Sequence, residues 1–465
     1  MDKPADSAQP SRPIPADAHD RTDRLLYIGF LVGLGGLSLQ LGMLLAAVDA
    51  PVYQVTRDGV QAARALFAQR EMTATQWPQH LWYPTRHDAQ GLVSSDAESC
   101  EPGFTLYTSG HANVAQLLDL EGNEVHRWEV PFHAVFGEAK HLNSHVPDAC
   151  IYIRRAHVFP NGDLLALYET PATTPPGRGL ARLDVDGNVL WTFAAATHHD
   201  FGIGPDGTTY VLTQSLRTEP HPQMSLLSPP LIEEKISILS PDGEEQKTLS
   251  LFDLYGRSPY YRPVVTLRDR AGDVFHSNTV NVIGPGFASH HEGVDAGDLM
   301  VCLRNLNLVI VVDPESEEIV WATSGPWHYP HDPDPLENGH ILIFDNCATR
   351  GTTVGSRVIE FDPTTGGIVR EFAGTEDAPL ISHIRSCQQL LENGNLLVTE
   401  SDAGRLLEVT PAGDVVWEYV NPVRGGDEGE LTPVVSGGVR YRPEELPFLK
   451  SRTARPQVAQ ASAGE

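Results

Sequence analysis

The sequence predicts an all-β ring, a six-bladed β-propeller, preceded by a transmembrane helix and a short helical stalk. Three observations predict it. A hairpin phrase ending in an aromatic strand recurs six times beyond residue 100, a second hairpin phrase with an apolar run recurs between its copies, and one long apolar run, Leu25 to Val48, stands near the N-terminus.

Residues 1–24 are rich in Pro, Asp, Ala and Ser, the composition of a disordered tail. The run 25–48 is interrupted only by Ser38, Gln40 and glycines, and is long enough to cross a bilayer as a helix. Arg12, Arg21 and Arg24 precede it and Asp49 follows, so the tail is expected in the cytoplasm and the rest outside it, in the periplasm or an equivalent extracytoplasmic space. The run exceeds the usual apolar core of a cleaved signal peptide, which favours a single-pass anchor in the cell membrane. Val52 to Arg70 has Val55, Val60, Ala63, Leu66 and Phe67 near one face of a helix, and 49–102 as a whole reads as stalk and linker.

The propeller is expected over 103–422. One phrase appears as Asp119-Leu-Glu-Gly122 before Trp128, Asp184-Val-Asp-Gly187 before Trp191, Pro241-Asp-Gly243, Asp313-Pro314 before Trp321, Asp362-Pro363 before Phe372, and Pro411-Ala-Gly413 before Trp417. The other appears as Pro160-Asn-Gly162, Pro205-Asp-Gly207, Glu337-Asn-Gly339 and Glu392-Asn-Gly394, with Asp295-Ala-Gly297 as a looser copy. Asp-Gly and Asn-Gly supply tight turns, and the flanking β-branched residues supply strands. Together the two hairpins form a four-stranded unit recurring roughly every 40 to 60 residues, the spacing of propeller blades. The piece near Gly103 to Val130 is expected to close the ring with strands from the far end, and 423–465 to be a partly disordered extension.

The chain has 61 acidic against 33 basic residues and a formal charge of −28, which argues against nucleic acid and against a polybasic membrane surface. A bound anion must therefore be held by a local basic pocket. The five cysteines, Cys100, Cys150, Cys302, Cys347 and Cys387, lie beyond the anchor, where disulfides are permitted; Cys100 with Cys150 is the expected pair. No Cys/His spacing typical of a zinc site occurs, and neither metal nor cofactor is expected.

Innermost strands line the channel of a propeller, so the residues ahead of the second turn phrase should meet there. They include His157, His199 with His198 and Asp200, His276, His331 with Asp332, and His383; Asn278 and Arg385 are close by. Arg304, on the strand after His276, adds a guanidinium. Imidazoles beside a guanidinium can hold a tetrahedral oxyanion through charge-assisted hydrogen bonds. The residues alone leave open a metal-dependent hydrolase or lyase, and a propeller that binds a ligand or partner without catalysis.

The phrases His276-Ser-Asn278 with Leu303-Arg304, and His331 running into Pro335-Leu-Glu-Asn-Gly339 and Phe344-Asp-Asn346, resemble the bacterial arylsulfate sulfotransferase family over roughly 103–422; His199 is a third matching element. The chain looks like a divergent, membrane-anchored member. The resemblance implies a periplasmic six-bladed propeller that moves a sulfuryl group from an aryl sulfate to a phenol, ping-pong, through a sulfohistidine and without a nucleotide sulfate donor. By the same resemblance His331 is the nucleophile, His276, Arg304 and His199 complete the catalytic set, and Asn278 helps hold the sulfonate oxygens. Asp332 and His383 are further expected substrate contacts. The better-known members carry an N-terminal β domain where this chain has its apolar run.

Overall fold

A computed structural model describes residues 16–48, 53, 56, 75, 77–78, 80–142, 146–171, 176–260, 271–347, 355–375 and 377–453. The chain divides into two compact units, Met1–Ala68 and Gln69–Glu465.

In the first unit a helix spans Ala16–Ala47. Its part Leu26–Ala47 is 22 residues long, with mean hydropathy 1.9, enough to cross a bilayer. The helix begins nine residues earlier than the apolar run. Ala16 to Arg24 contain neither Gly nor Pro, so an established helix extends backward by single turns at little cost, and this stretch is helical, not disordered. The stalk expected over Val52 to Arg70 lies, apart from Tyr53 and Thr56, outside the described residues, as do 1–15 and 454–465.

The second unit is the ring. Blade two comprises Tyr152–Val158, Leu164–Glu169, Gly177–Leu183 and Val189–Phe193, paired antiparallel in that order from the axis outward. Blade three comprises Thr197–Ile203, Thr209–Arg217, Leu231–Leu239 and Glu245–Ser250. Blade four comprises Ser277–Val282, Leu299–Leu303, Leu308–Asp313 and Glu318–Thr323; blade five comprises His331–Pro335, Ile341–Asp345, Arg357–Asp362 and Gly367–Phe372. Blade six has Cys387–Leu390, Leu396–Glu400, Arg405–Val409 and Val415–Val420, and Gly91–Ser95 adds a fifth strand to its outer edge. Blade one takes its innermost strand, Val435–Tyr441, from the far end of the chain and its other three from Phe104–Ser109, Val114–Leu118 and Glu124–Glu129.

The ring therefore closes as expected, by pairing of distant strands, but with wider limits than 103–422. Val435–Tyr441 falls in the segment expected to be an extension, and Gly91–Ser95 in the expected linker. Val435-Ser-Gly-Gly-Val439 lacks a turn phrase, so its role is set by its partner: Val439 faces Leu106 and Gly438 faces Tyr107.

Turn chemistry fixes the hairpins. Gly187 and Gly339 take φ of 85° and 83°, where a Cβ would be strained. Asp184 Oδ1 accepts from the Asn188 amide at 2.8 Å, closing the turn from its side chain.

Among the described residues six apolar clusters lie one between each pair of neighbouring blades, and a small seventh joins Leu81, Tyr152 and Val434. Trp128 and Leu117 of blade one pack on Ile153 and Tyr168 of blade two, and Leu167 on Phe201 joins blades two and three. Leu212 with Val301, Ile343 with Val309, Val398 with Phe344, and Trp417 with Tyr107 continue the series to blade one again. Each fully buried large side chain contributes about 1.5–3 kcal/mol by leaving water. Cys100 belongs to the last of these clusters and Cys150 to the first, and the Cys100 thiol donates to the Val416 carbonyl instead of joining Cys150. The expected pair is not formed because the two lie in different inter-blade cores.

Candidate active site

Three innermost strands deliver side chains to the axis by one counting rule. Arg154, His199 and His331 each stand eight residues before a turn glycine, Gly162, Gly207 and Gly339. Their neighbours Arg155, Asp200 and Asp332 stand seven before. The register breaks at each place, between Ile153 and Arg155, Thr197 and Phe201, and His331 and Asp334; blade four breaks between Ser277 and Thr279. Such bulges re-aim side chains that a regular strand would send into the sheets. His199, His276, Asp332 and Arg385 sit at positive φ of 58°, 51°, 52° and 63°, conformations costing about 1–3 kcal/mol each for non-glycine residues.

The upper layer lines a cavity of about 340 Å³, to which blades two to six contribute Arg154, His199, His276, Arg304, His331 and Arg385. Four sequence-predicted site residues, His331, His276, Arg304 and His199, thus share one cavity.

His331 is 3% exposed. Its Nδ1 lies 2.7 Å from Asn346 Oδ1 and 3.2 Å from the Tyr329 carbonyl. A carbonyl only accepts, so Nδ1 carries the hydrogen and Nε2 keeps the lone pair. Asn346 is itself fixed, donating to the Ser382 and Arg385 carbonyls at 2.8 and 2.9 Å. Asp345 beside it accepts from the His328 amide at 2.9 Å and pairs with Arg357, tying down the loop that leads to His331. Burial, then the Arg304 and Arg154 charges, hold the His331 pKa well below the ordinary value, so the ring is neutral at pH 7.

His199 and His276 meet edge to face with ring centroids 4.9 Å apart. His276 Nδ1 is hydrogen-bonded to Asp273 Oδ2, and the backbone amide of Arg304 donates to the His276 carbonyl at 3.2 Å. His198 is buried; burial lowers its pKa, but the Glu234 carboxylate at 3.1 Å outweighs that and raises it. His199 is lowered well below the usual value by burial and by its neighbours His276 and His198. His198 Nδ1 lies 2.9 Å from His199 Nδ1, so one ring donates to the other; with His198 as donor, His199 bears its hydrogen on Nε2. The cavity carboxylates are occupied: Glu169 accepts from the Tyr152 hydroxyl and the His199 amide, and Glu234 from the Ser277 hydroxyl. By contrast Arg304 Nε and Arg385 Nη1 are buried with no hydrogen-bond partner among the described residues. Arg304 lies 4.4 Å over the Tyr329 ring.

The lower layer is a plug. Arg155 pairs with Asp200 at 3.0 Å and Asp332 at 3.1 Å, and Gln388 Nε2 donates to Asp334 at 2.9 Å. Burial, only partly offset by Arg155, lifts the Asp200 pKa to about 6, and burial with the Asp332 charge lifts Asp334 well above its ordinary value. Below the plug a second cavity of about 270 Å³ opens at the opposite end of the channel.

Three expected substrate contacts lie elsewhere. Asp332 is committed to Arg155 in the plug. Asn278 donates to the Pro330 carbonyl at 2.8 Å and accepts from the Thr279 hydroxyl, so it braces the residue before His331 without lining the large cavity. His383 is exposed; Arg385, which with Ser386 takes a positive φ just ahead of Cys387, lines the cavity instead. His157 also misses the site: five residues before Gly162, it lies further along the strand, against Phe159 and the Tyr441 hydroxyl. Sequence reading missed Arg154, Glu169, Glu234 and Asp273. Counting back from Gly162 would have found Arg154; the three carboxylates carry no such signal, since each is placed by its partner. Among the described residues no group of three or more His, Cys, Asp and Glu converges as a metal site.

A family model described as Arylsulfotransferase (ASST) matches residues 155–422, more than half of the chain. No curated protein matches. Among solved structures, a protein of unknown function from Bacteroides caccae is similar with a TM-score of 0.44 and 16% identity, over 72% of this chain and 99% of that one. Virginiamycin B lyase from Staphylococcus aureus is similar with a TM-score of 0.39 and 14% identity, over 76% of this chain and 97% of that one.

Proposed function

Because the chain belongs to the arylsulfotransferase family, we propose that it transfers a sulfuryl group from an aryl sulfate to a phenol by two displacements through a sulfohistidine on His331, with no nucleotide sulfate donor. The observation that carries the reading is the His331–Asn346 bond, which leaves a neutral ring with a free Nε2 lone pair in an arginine-lined cavity.

In the first displacement Nε2 attacks sulfur and the S–O bond to the aryl group breaks, its electron pair leaving with the phenolate oxygen. Arg304 and the Nε2–H of His199 stabilise the sulfonate oxygens as charge builds on them. His276, held through Nδ1 by Asp273, returns a proton to the leaving phenolate and takes one from the incoming phenol. The second phenol oxygen then attacks sulfur, and the N–S pair returns to His331 Nε2. The same reading takes 25–48 as an anchor retained in the cell membrane and puts the propeller outside the cytoplasm.

The test has two arms: turnover of 4-nitrophenyl sulfate with and without phenol, and incubation with 4-nitrophenyl sulfate alone followed by peptide mass analysis. Nitrophenol release that accelerates with added phenol, and a sulfuryl adduct on the His331 peptide, are expected. His331→Ala should lose both while keeping the wild-type melting temperature. An adduct elsewhere, or undiminished turnover in that variant, would overturn the assignment.

A further inference from the structure

We propose that Arg385 forms a second anion site in the same cavity, and that it selects aryl substrates bearing a ring carboxylate. The substrate half of this statement rests on the transfer reading above; the anion site does not.

Arg385 is 9% exposed and lines the cavity, yet its buried Nη1 has no hydrogen-bond partner among the described residues. Two other buried arginines are ion-paired, Arg405 with Glu400 and Arg440 with Glu408, and half-buried Arg155 is paired with Asp200. Among the described residues Arg385 forms no ion pair of that kind. Its guanidinium lies 5.9 Å over the Tyr152 ring and interacts with the Tyr152 and Tyr83 hydroxyls, and the Asp402 carboxylate acts on it from a distance, with Oδ2 taken by the His383 amide. A cation taken from water without a paired anion is costly, and this one belongs to a residue of the cavity wall. An anion supplied by a ligand removes that cost.

The site is distinct from the sulfuryl end. Arg304, of blade four, lies over the Tyr329 ring, whereas Arg385, ahead of the inner strand of blade six, lies over the Tyr152 ring of blade two. One aryl ring with a sulfate ester or hydroxyl toward His331 can present a second group to Arg385. The planar fork of a guanidinium matches a carboxylate in two parallel hydrogen bonds. In a chain of net charge −28, local cations of this kind are what an anionic substrate needs.

The experiment titrates the full-length protein in detergent with 4-hydroxybenzoate and with its methyl ester, followed by calorimetry at pH 7. The two differ mainly in charge. The acid should bind about 10- to 100-fold more tightly, the range of a charge-assisted hydrogen bond, and Arg385→Gln should erase the difference while Arg304→Gln retains it. Equal affinities in the unaltered protein overturn the proposal, and need no variant to be folded. So does an acid preference that disappears in Arg304→Gln. Preferential binding of the acid through Arg385, without sulfuryl transfer to either phenol, would sink the transfer reading and leave the anion site standing.

Discussion

His331 Nδ1 and Asn346 Oδ1 lie 2.7 Å apart at the two ends of one hairpin, and this contact determines which imidazole nitrogen carries the lone pair. Asn346→Ala removes the acceptor and leaves only the Tyr329 carbonyl at 3.2 Å. The expected loss in kcat for nitrophenol release is about 10- to 100-fold, the scale seen when the hydrogen-bond partner that orients a metal-bound imidazole is deleted. A change below threefold would show that the tautomer is set by something else.

Acidification should affect the reaction late. Because burial and the Arg304 and Arg154 charges depress the His331 pKa, the nucleophile stays unprotonated as pH falls past 6.5, and the acid limb of the first displacement lies below that value. Arg304→Met removes a positive charge that disfavours imidazolium, so the limb should move to higher pH. A limb that stays in place, or moves down, contradicts the electrostatic account.

The plug beneath the site should respond to loss of its cation. Arg155→Met leaves Asp200, Asp332 and Asp334 facing one another, and breaking a buried pair of this kind costs about 3–5 kcal/mol. The melting temperature at pH 7 should fall, and the deficit should shrink toward pH 5 as Asp200 and Asp334 take up protons. An unchanged melting temperature would mean that the cluster is already neutral.

His157 offers a separate test of linkage. Burial, then the Arg155 charge, pushes its pKa down to about 4, while the unfolded chain binds that proton near 6.5. As pH falls from about 6.5 to about 4 the unfolded state gains a proton that the folded state refuses, so stability drops. His157→Gln lacks this penalty. Its melting temperature relative to the unaltered protein should rise over that window and stay level above pH 7.

The ring was legible in the residues because each blade repeats a local instruction: a turn glycine or Asx at fixed spacing between β-branched runs. His331, His199, His276 and Arg304 could be named from where they fall in that repeat and from the phrases around them. Their company could not. Whether an inner-strand side chain meets the axis depends on a bulge, and the bulges are held by partners from other blades, as the Asp200 carboxylate accepts from the Val280 amide and the Thr279 hydroxyl from the Asp332 amide. Tertiary structure alone therefore turned His157 and His383 away from the cavity, brought Arg154 and Arg385 into it, and committed Asp332 to a guanidinium. Sequence fixes a repeat through short-range turn chemistry, but a polar side chain at the axis settles only where a partner far along the chain can satisfy it.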